Sequence, residues 1–173
     1  MTKSVLQPNE FAAYFLKYIN LTNETLLDEL ESGIISVLSI SEKIAKANKE
    51  KFSYLPEKWS VQDLLLHLID AERIFCYRAL CISRNDNTHF PGFEENDYVK
   101  NAFANERSFD SIISEFVAVR NATISLFESF NEQQLLEIGT VSDNQISVRA
   151  IGFIIAGHQS HHFQILEERY LIS

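Results

Sequence analysis

Histidines concentrate in one short stretch near the C-terminal end of the chain. The segment GHQSHHFQIL, residues 157–166, holds three of the five histidines found in 173 residues. His158 and His162 are four positions apart, so on a helix they face the same side and lie one turn from each other. Two imidazoles at this spacing can bind one metal ion, as they do in HExxH helices, but no Glu follows His158 to act as a general base. The pair therefore predicts two metal ligands without predicting a zinc protease.

The apolar pattern around these two histidines indicates that they face inward. A series with alternating steps of three and four residues runs through Val148, Ile151, Ile155, His158, His162, Ile165 and Arg169. Such a series marks the buried seam of a bundle helix. His161 lies beside this seam rather than on it. Histidine thus takes positions that isoleucine takes elsewhere in the series, either as an ordinary buried side chain or as a ligand.

A third ligand can come from the segment WSVQDLLLHLIDAE, residues 59–72, where His67 lies on an apolar stripe. Asp63 and Asp70, at i−4 and i+3, are placed to hydrogen-bond the free ring nitrogen of His67 or a bound water. Three buried imidazoles would lack partners in an apolar core, and a cation resolves that deficit. We therefore predict a divalent metal site at His67, His158 and His162, with ordinary core histidines as the alternative.

The elements that must position these residues are helical throughout. Apolar periodicity predicts a short opening helix over residues 9–19 and four long helices over residues 24–46, 60–82, 109–129 and 147–170. Thr22 or Asn23 is expected to cap the first long helix, and Ser60 with Asp63 to form an acidic capping box on the second. The links SRNDNTHFPGF and EIGTVSDNQ are expected to be loops, with strand content close to nil.

These elements predict the fold class and the domain organisation. The expected fold is all-α, an up-down type of four-helix bundle with short extra helices, and the alternative is an irregular all-α domain. At this length we expect one domain over residues 1–173.

Composition limits the classes of partner. The formal net charge is −9 and no stretch rich in Lys or Arg offsets it, which disfavours binding to nucleic acids and to anionic membranes. No apolar stretch approaches the roughly 20 residues that cross a bilayer. Cys76 and Cys81 are expected to be reduced, half-buried residues, which fits a reducing cytosol. We therefore expect a cytoplasmic protein whose partners are small molecules.

Three segments in this order, KWSVQDLLLHLIDAERIFCYRAL, FPGFEENDYV and SVRAIGFIIAGHQSHHFQILEERYL, resemble the DinB/YfiT-like superfamily of small bacterial proteins. The resemblance extends from about Pro8 to Leu171. It implies a four-helix bundle that binds a divalent metal, usually zinc or nickel, on His67, His158 and His162, and in many relatives a homodimer. Branches of the superfamily include transferases and isomerases that use low-molecular-weight thiols such as bacillithiol or mycothiol. Other members are described as metal-dependent hydrolases.

Three neutral imidazoles leave at least one coordination position of a divalent ion open, as in catalytic zinc sites. At such a position the ion lowers the pKa of a bound water to about 7, or it binds a thiol and promotes its deprotonation. We therefore expect a metal-dependent hydrolase or thiol transferase that acts on a small molecule. The competing hypothesis is a non-catalytic metal-binding or stress-response bundle in which the ion is structural.

Residues near the mouth of the site distinguish these functions. A bacillithiol-type cofactor carries carboxylates, so a transferase needs a cation close to the metal. Arg78 is the first candidate for this cation, and Arg149 and Arg169 are further candidates. Alternatively, each of the three arginines forms a salt bridge at the end of the bundle. Phe93 and Tyr98 either close over the metal as a lid or pin an ordinary interhelical loop.

Overall fold

The computed structural model describes residues 2–23 and 25–171. The α-helices in these ranges are α1 (Leu16–Ile19), α2 (Leu26–Lys46), α3 (Val61–Ser83), α4 (Glu95–Ala102), α5 (Phe109–Glu128), α6 (Glu132–Leu136) and α7 (Val148–Ile165). The strands are β1 (His89–Phe90), β2 (Ile138–Val141) and β3 (Asn144–Ser147). Short 3₁₀ turns lie at Lys3–Val5, Pro8–Glu10, Ala13–Phe15 and Ala104–Glu106, and one π-helical turn follows α7 at Leu166–Tyr170. The predicted all-α class with short extra helices is confirmed.

The four long helices α2, α3, α5 and α7 form the bundle. Both α2 and α3 pack against α5 and against α7, so α2 lies diagonally opposite α3, and α5 lies diagonally opposite α7. Consecutive long helices are therefore diagonal at two of the three connections. This differs from the simple up-down order that the sequence suggests, and it places α3 beside α7, the two helices that carry the predicted ligands.

The predicted helix starts are correct for α3 and wrong for α2. The Ser60 hydroxyl accepts from the Asp63 amide at 3.1 Å, and the Asp63 carboxylate accepts from the Ser60 amide at 2.9 Å, which completes the capping box. The residue that precedes α2 is Thr25, not Thr22 or Asn23. Thr22 instead donates to the Ile19 carbonyl oxygen at 2.8 Å and closes the turn after α1. The opening helix is also shorter than predicted, because only its last turn is α-helical.

A small three-stranded sheet occupies the two segments predicted to be loops. Strand β1 runs parallel to β2, and β2 pairs antiparallel with β3, from Ile138 opposite Ser147 to Val141 opposite Asn144. The prediction of almost no strand was therefore wrong at this sheet. A turn of two residues joins β2 to β3, with positive φ angles of 47° at Ser142 and 61° at Asp143. Primed turns of this kind favour Gly or Asn, and the absence of Gly here hid the hairpin.

Helix α4 was also missed, because its segment was read as part of an interhelical loop. Glu94 separates it from FPGF, and Phe103, which follows its last residue, adopts a left-handed backbone with φ of 51°. Asn96 on α4 accepts a hydrogen bond from the indole nitrogen of Trp59 at 3.2 Å, which ties this helix to the start of α3.

A polar layer crosses the bundle and divides the apolar core into two clusters. Along α7, one cluster ends at Ala156 and the other begins at Phe163. The same gap falls on α5 at Arg120 and Thr123, and on α2 at Gly33. The buried polar side chains of the layer are Glu72, Arg120, Thr123, His158 and Gln159. Polar groups in a core need partners, so this layer is where binding chemistry is expected.

Within the described ranges, no helix is both long enough and apolar enough to span a bilayer. Cys76 and Cys81 are both free and half-buried, as the sequence predicts.

Candidate metal centre

The side chains of His67, His158 and His162 converge at one end of the polar layer. The Nε2 atom of His158 lies 3.2 Å from that of His67 and 3.0 Å from that of His162. One ligand atom from each of the three residues lies within 4.8 Å of the other two. Tetrahedral zinc with Zn–N bonds of about 2.0–2.1 Å separates two ligand nitrogens by about 3.3 Å. The predicted convergence of the three imidazoles is therefore confirmed, at spacings that suit one small cation.

The chemistry of the three rings also fits a cation. Burial lowers the pKa of His67 to about 4, and burial together with the neighbouring histidines lowers the pKa of His162 to about 3. The pKa of His158 is likewise held well below its ordinary value, first by burial and then by His162 and His67. All three rings are thus neutral at pH 7, as metal ligands must be. The Nε2 of His158 cannot satisfy both facing nitrogens with one lone pair or one proton, whereas a shared cation satisfies all three.

Two aromatic side chains enclose the histidines. Gly157 allows α1 to approach α7 so closely that a Cβ at this position would lie 2.0 Å from the carbonyl oxygen of Tyr18. The Tyr18 ring consequently packs on His158 with centroids 5.1 Å apart, and the Trp59 ring lies 4.8 Å from that of His67. These rings keep water away from His158 and His67 and so contribute to the burial that lowers the pKa values of these two residues.

Neither of the other two histidines joins the group. His161 faces the Tyr18 ring at 5.4 Å and is half-buried, and His89 is exposed on β1. Among the residues that the structure describes, only His67, His158 and His162 form a group of metal-binding side chains. A fourth protein ligand would close the site, and no other residue that the structure describes joins the group as such a ligand.

Comparison with known proteins agrees with this architecture. A family model described as the DinB superfamily matches residues 39–166, which include all three histidines. The chain belongs to the DinB superfamily.

One solved structure extends the comparison to almost the whole DinB chain. YfiT from Bacillus subtilis, described as a probable metal-dependent hydrolase with an unusual four-helix bundle topology, matches with a TM-score of 0.67. The match covers 94% of this chain and 90% of that chain at 14% sequence identity, so the likeness concerns the fold. No curated protein matches the chain.

The two carboxylates predicted to support His67 in this DinB protein have other partners. The Asp63 carboxylate accepts from the Ser60 hydroxyl at 2.7 Å and therefore serves the helix cap. Asp70 faces Arg73 at 3.9 Å. No hydrogen bond within residues 2–23 and 25–171 joins either Asp to a histidine of the group. Both carboxylates lie on the same helix as His67, and the structure gives each of them a partner on that helix or at its cap.

The three candidate arginines lie in different surroundings. Arg149 forms a partly buried ion pair with Glu10, which is the structural alternative considered for it. Arg169 donates to the Tyr54 hydroxyl at 3.2 Å on an exposed surface. Arg78 is buried on α3 and opens into a pocket that reaches the histidines.

Two pockets reach the histidines from different sides. The first, of about 330 Å³, extends from His158 past Phe75 to Arg78 and Phe93. The second, of about 250 Å³, reaches His162; its other walls include Tyr54, Trp59, Arg169 and Tyr170. A larger groove of about 530 Å³ between α2 and α7 contains none of the three histidines. The two smaller pockets are therefore the approaches to the centre.

The segment considered as a lid contributes directly to the first pocket. Phe93 lines it and packs against Tyr98, with ring centroids 5.0 Å apart. Tyr98 itself is exposed and lies on α4. Phe93 therefore forms a wall of the approach to His158, and Tyr98 supports that wall from outside.

Sequence reasoning missed an ion pair in the layer beside the histidines. The Glu72 carboxylate accepts from Arg120 Nε and Nη2, each at 2.8 Å, and from the Thr123 hydroxyl at 2.7 Å. Gln159, next to His158, donates from its Nε2 to the Gly33 carbonyl oxygen at 2.8 Å. The available signal was a charged residue in the inward stripe of each of two helices, Glu72 on α3 and Arg120 on α5.

Proposed function

We propose that this DinB-superfamily chain is a metal-dependent enzyme that acts on a small molecule, as a hydrolase or as a thiol transferase. The observation that carries the proposal is the meeting of three neutral imidazole nitrogens from His67, His158 and His162 within 4.8 Å of one another. The described residues add no fourth ligand to this group. Such a donor set is typical of catalytic rather than structural zinc sites.

His67, His158 and His162 would hold a divalent ion, zinc or nickel, through their Nε2 atoms. The bound ion would supply Lewis acidity and lower the pKa of a water or a thiol at its open position. Tyr18 and Trp59 exclude water on two sides of the rings. A substrate therefore has to approach through the pockets at His158 and His162, whose volumes suit a small molecule.

Two chemistries fit this arrangement. Attack by water makes the protein a hydrolase, and the description of YfiT as a probable metal-dependent hydrolase supports this choice. Attack by a low-molecular-weight thiol makes it a transferase, and the presence of two separate approaches supports that choice, because a transferase has to bind two reactants.

Metal titration tests the proposal first. We expect the metal-free protein to bind one zinc or nickel ion per chain in calorimetry, and the His158→Ala variant to lose that binding. The matched control is His161→Ala, which removes a neighbouring imidazole outside the group and should bind the ion as the parent does. Loss of binding in both variants, or in neither, would contradict the assignment of the ligands.

Activity screening then separates catalysis from a structural role. The competing hypothesis is a bundle in which the ion only joins α3 to α7, and the position of the ligands on these two packed helices favours it. If His158→Ala abolishes metal binding but changes neither thiol-conjugation nor hydrolysis rates across a substrate panel, the hypothesis of a structural ion is correct. If the rates fall with metal content, the hypothesis of a metal-dependent enzyme is correct.

We also propose that the chain forms a homodimer, as many proteins that it resembles do. Helix α2 exposes Ile35 and Leu38, with 71% and 47% of their side-chain surface accessible, which gives one apolar face for such contact. Sedimentation equilibrium measures the mass directly, and a monomer at micromolar concentration would reject the dimer without affecting the proposed chemistry.

A further inference from the structure

Arg78 on α3 is a buried cation to which the described residues offer no acidic partner. Its side chain is 6% exposed. The Nη2 atom donates to the Pro91 carbonyl oxygen at 2.7 Å. The guanidinium lies near the rings of Phe75 and Phe93, at 5.7 and 5.9 Å from their centroids. No ion pair found within residues 2–23 and 25–171 includes Arg78.

Two other arginines that are largely shielded from solvent each have an acidic partner. Arg120 is paired with Glu72, and Arg149 with Glu10. Burial of a guanidinium without a counter-charge is unfavourable, because the cation loses its hydration. Only one of the five N–H donors of Arg78 is used by the hydrogen bond to Pro91. An anion from outside the chain would satisfy the remaining donors.

The pocket in front of Arg78 leads to the candidate metal centre. Arg78 and His158 line the same cavity of about 330 Å³. The other charged side chains on its wall are Lys17 and Glu95. Burial and Glu94 raise the pKa of Glu95, while Lys17 opposes this rise, and Glu95 is the one carboxyl group on the described wall against two cationic side chains. The wall is therefore net positive, in a chain whose net charge is −9.

We propose that this pocket binds the anionic end of the substrate, with Arg78 holding a carboxylate or phosphate group while the reactive end lies at His158. The inference rests on the proposed function and names its substrate class. A planar guanidinium binds either group through two parallel hydrogen bonds. Arg78 follows His67 by eleven positions, so their backbone positions are about 16 Å apart along the helix axis, and an extended substrate suits this spacing.

Matched thiols provide the probes, since a thiol can bind the metal while its other end reaches Arg78. The experiment compares 6-mercaptohexanoate, 6-mercaptohexylphosphonate and 6-mercaptohexan-1-ol by calorimetry on the zinc-loaded full chain. We expect one or both charged thiols to bind about tenfold more tightly than the alcohol, as a charge-assisted hydrogen bond predicts. The charged thiol that binds more tightly identifies carboxylate or phosphate as the natural group.

The variants assign this preference to Arg78. Arg78→Met should bind all three thiols with the affinity of the alcohol. Arg78→Lys keeps the charge but loses the two parallel donors of the guanidinium, so it should retain a smaller preference for the charged thiols. This variant replaces Arg78→Met in the experiment if the methionine variant does not fold. The matched control is Arg84→Met, because Arg84 is exposed at the end of the same helix and contacts Phe130 outside the pocket. This control should keep the full preference.

Equal affinities of the three thiols for the parent protein, or an undiminished preference in either Arg78 variant, would overturn the inference. A second measurement separates this failure from failure of the proposed function. The metal-free protein is titrated with hexanoate and hexan-1-ol, followed by NMR. A preference for hexanoate that depends on Arg78 supports the anion subsite even if the protein does not bind zinc. Equal binding of hexanoate and hexan-1-ol overturns the anion subsite even if the protein binds zinc.

Discussion

Replacement of Glu72 by Gln removes the only carboxylate that the described residues place against the buried Arg120 side chain. Arg120 is 0% exposed, and Glu72 accepts two hydrogen bonds of 2.8 Å from it. Hydrogen bonds to charged groups contribute about 1.5–3 kcal/mol each, and Gln can keep one of the two. Removal of one partner of a buried ion pair typically costs about 3–5 kcal/mol, because the remaining charge stays buried. We expect the Glu72→Gln variant to lose about that much unfolding free energy.

Urea unfolding of the metal-free protein at pH 7, followed by circular dichroism, measures this loss. The matched control is Glu167→Gln, because Glu167 pairs with Lys43 on the surface and both side chains are more than half exposed. Exposed pairs contribute about 0–1 kcal/mol, so this variant should unfold almost as the parent does.

The double variant Glu72→Gln with Arg120→Met should be less destabilised than the sum of the two single variants, since it leaves no unpaired buried charge. If Glu72→Gln and Glu167→Gln shift the unfolding midpoint equally, the buried pair contributes no more to stability than the exposed pair. Additive effects of Glu72→Gln and Arg120→Met would refute the coupling itself.

Three further predictions follow from the surroundings of single residues. Gly157→Ala should lower the unfolding free energy by about 1–3 kcal/mol in urea, because the new methyl group would collide with the Tyr18 backbone; an unchanged midpoint would contradict this packing. The metal-free protein should lose stability as the pH falls from about 6.5 to 4, because the unfolded chain binds protons at His67 that the folded chain, with a pKa of about 4, excludes. That loss amounts to about 3 kcal/mol at this residue, and a flat stability profile over this pH range would argue against burial of a neutral ring. In a Cys81→Ser background, the Cys76 thiol, whose pKa burial raises to about 12, should react with Ellman's reagent at pH 8 only after unfolding; rapid labelling of the folded protein would show that it is accessible.

The four long helices and the inward direction of the three histidines were predictable because each depends on a local pattern. The i, i+4 spacing of His158 and His162 fixes their common direction on any helix, whatever the rest of the fold. The apolar stripe around His67 indicated the same interior. The packing of α3 beside α7 is a tertiary feature that local patterns do not predict. The resemblance to the DinB/YfiT-like superfamily implied independently that histidines from both helices form one site.

The errors came from features that depend on contacts distant in sequence. Strand β1 is only two residues long and exists because β2 pairs with it from about fifty positions away. The partners that the structure shows for Asp63 and Asp70, Ser60 and Arg73, were not predicted, because helical position gives direction but does not reveal competing partners. The pairing of Glu72 across the bundle could not be inferred without knowing which helix faces α3.

The N-terminal arm and the metal-holding helices occupy different parts of the chain. Tyr18 and Lys17 line the approach to His158, yet both precede residue 39, where the match to the DinB superfamily begins. The ligands and Arg78 all lie within the matched region. Exchange of residues 8–23 for the corresponding arm of another bundle of this kind would reshape the entrance while keeping the sequence that carries the three histidines. In the proposed enzyme, substrate selectivity and metal binding would then be separable traits that an engineer could adjust one at a time.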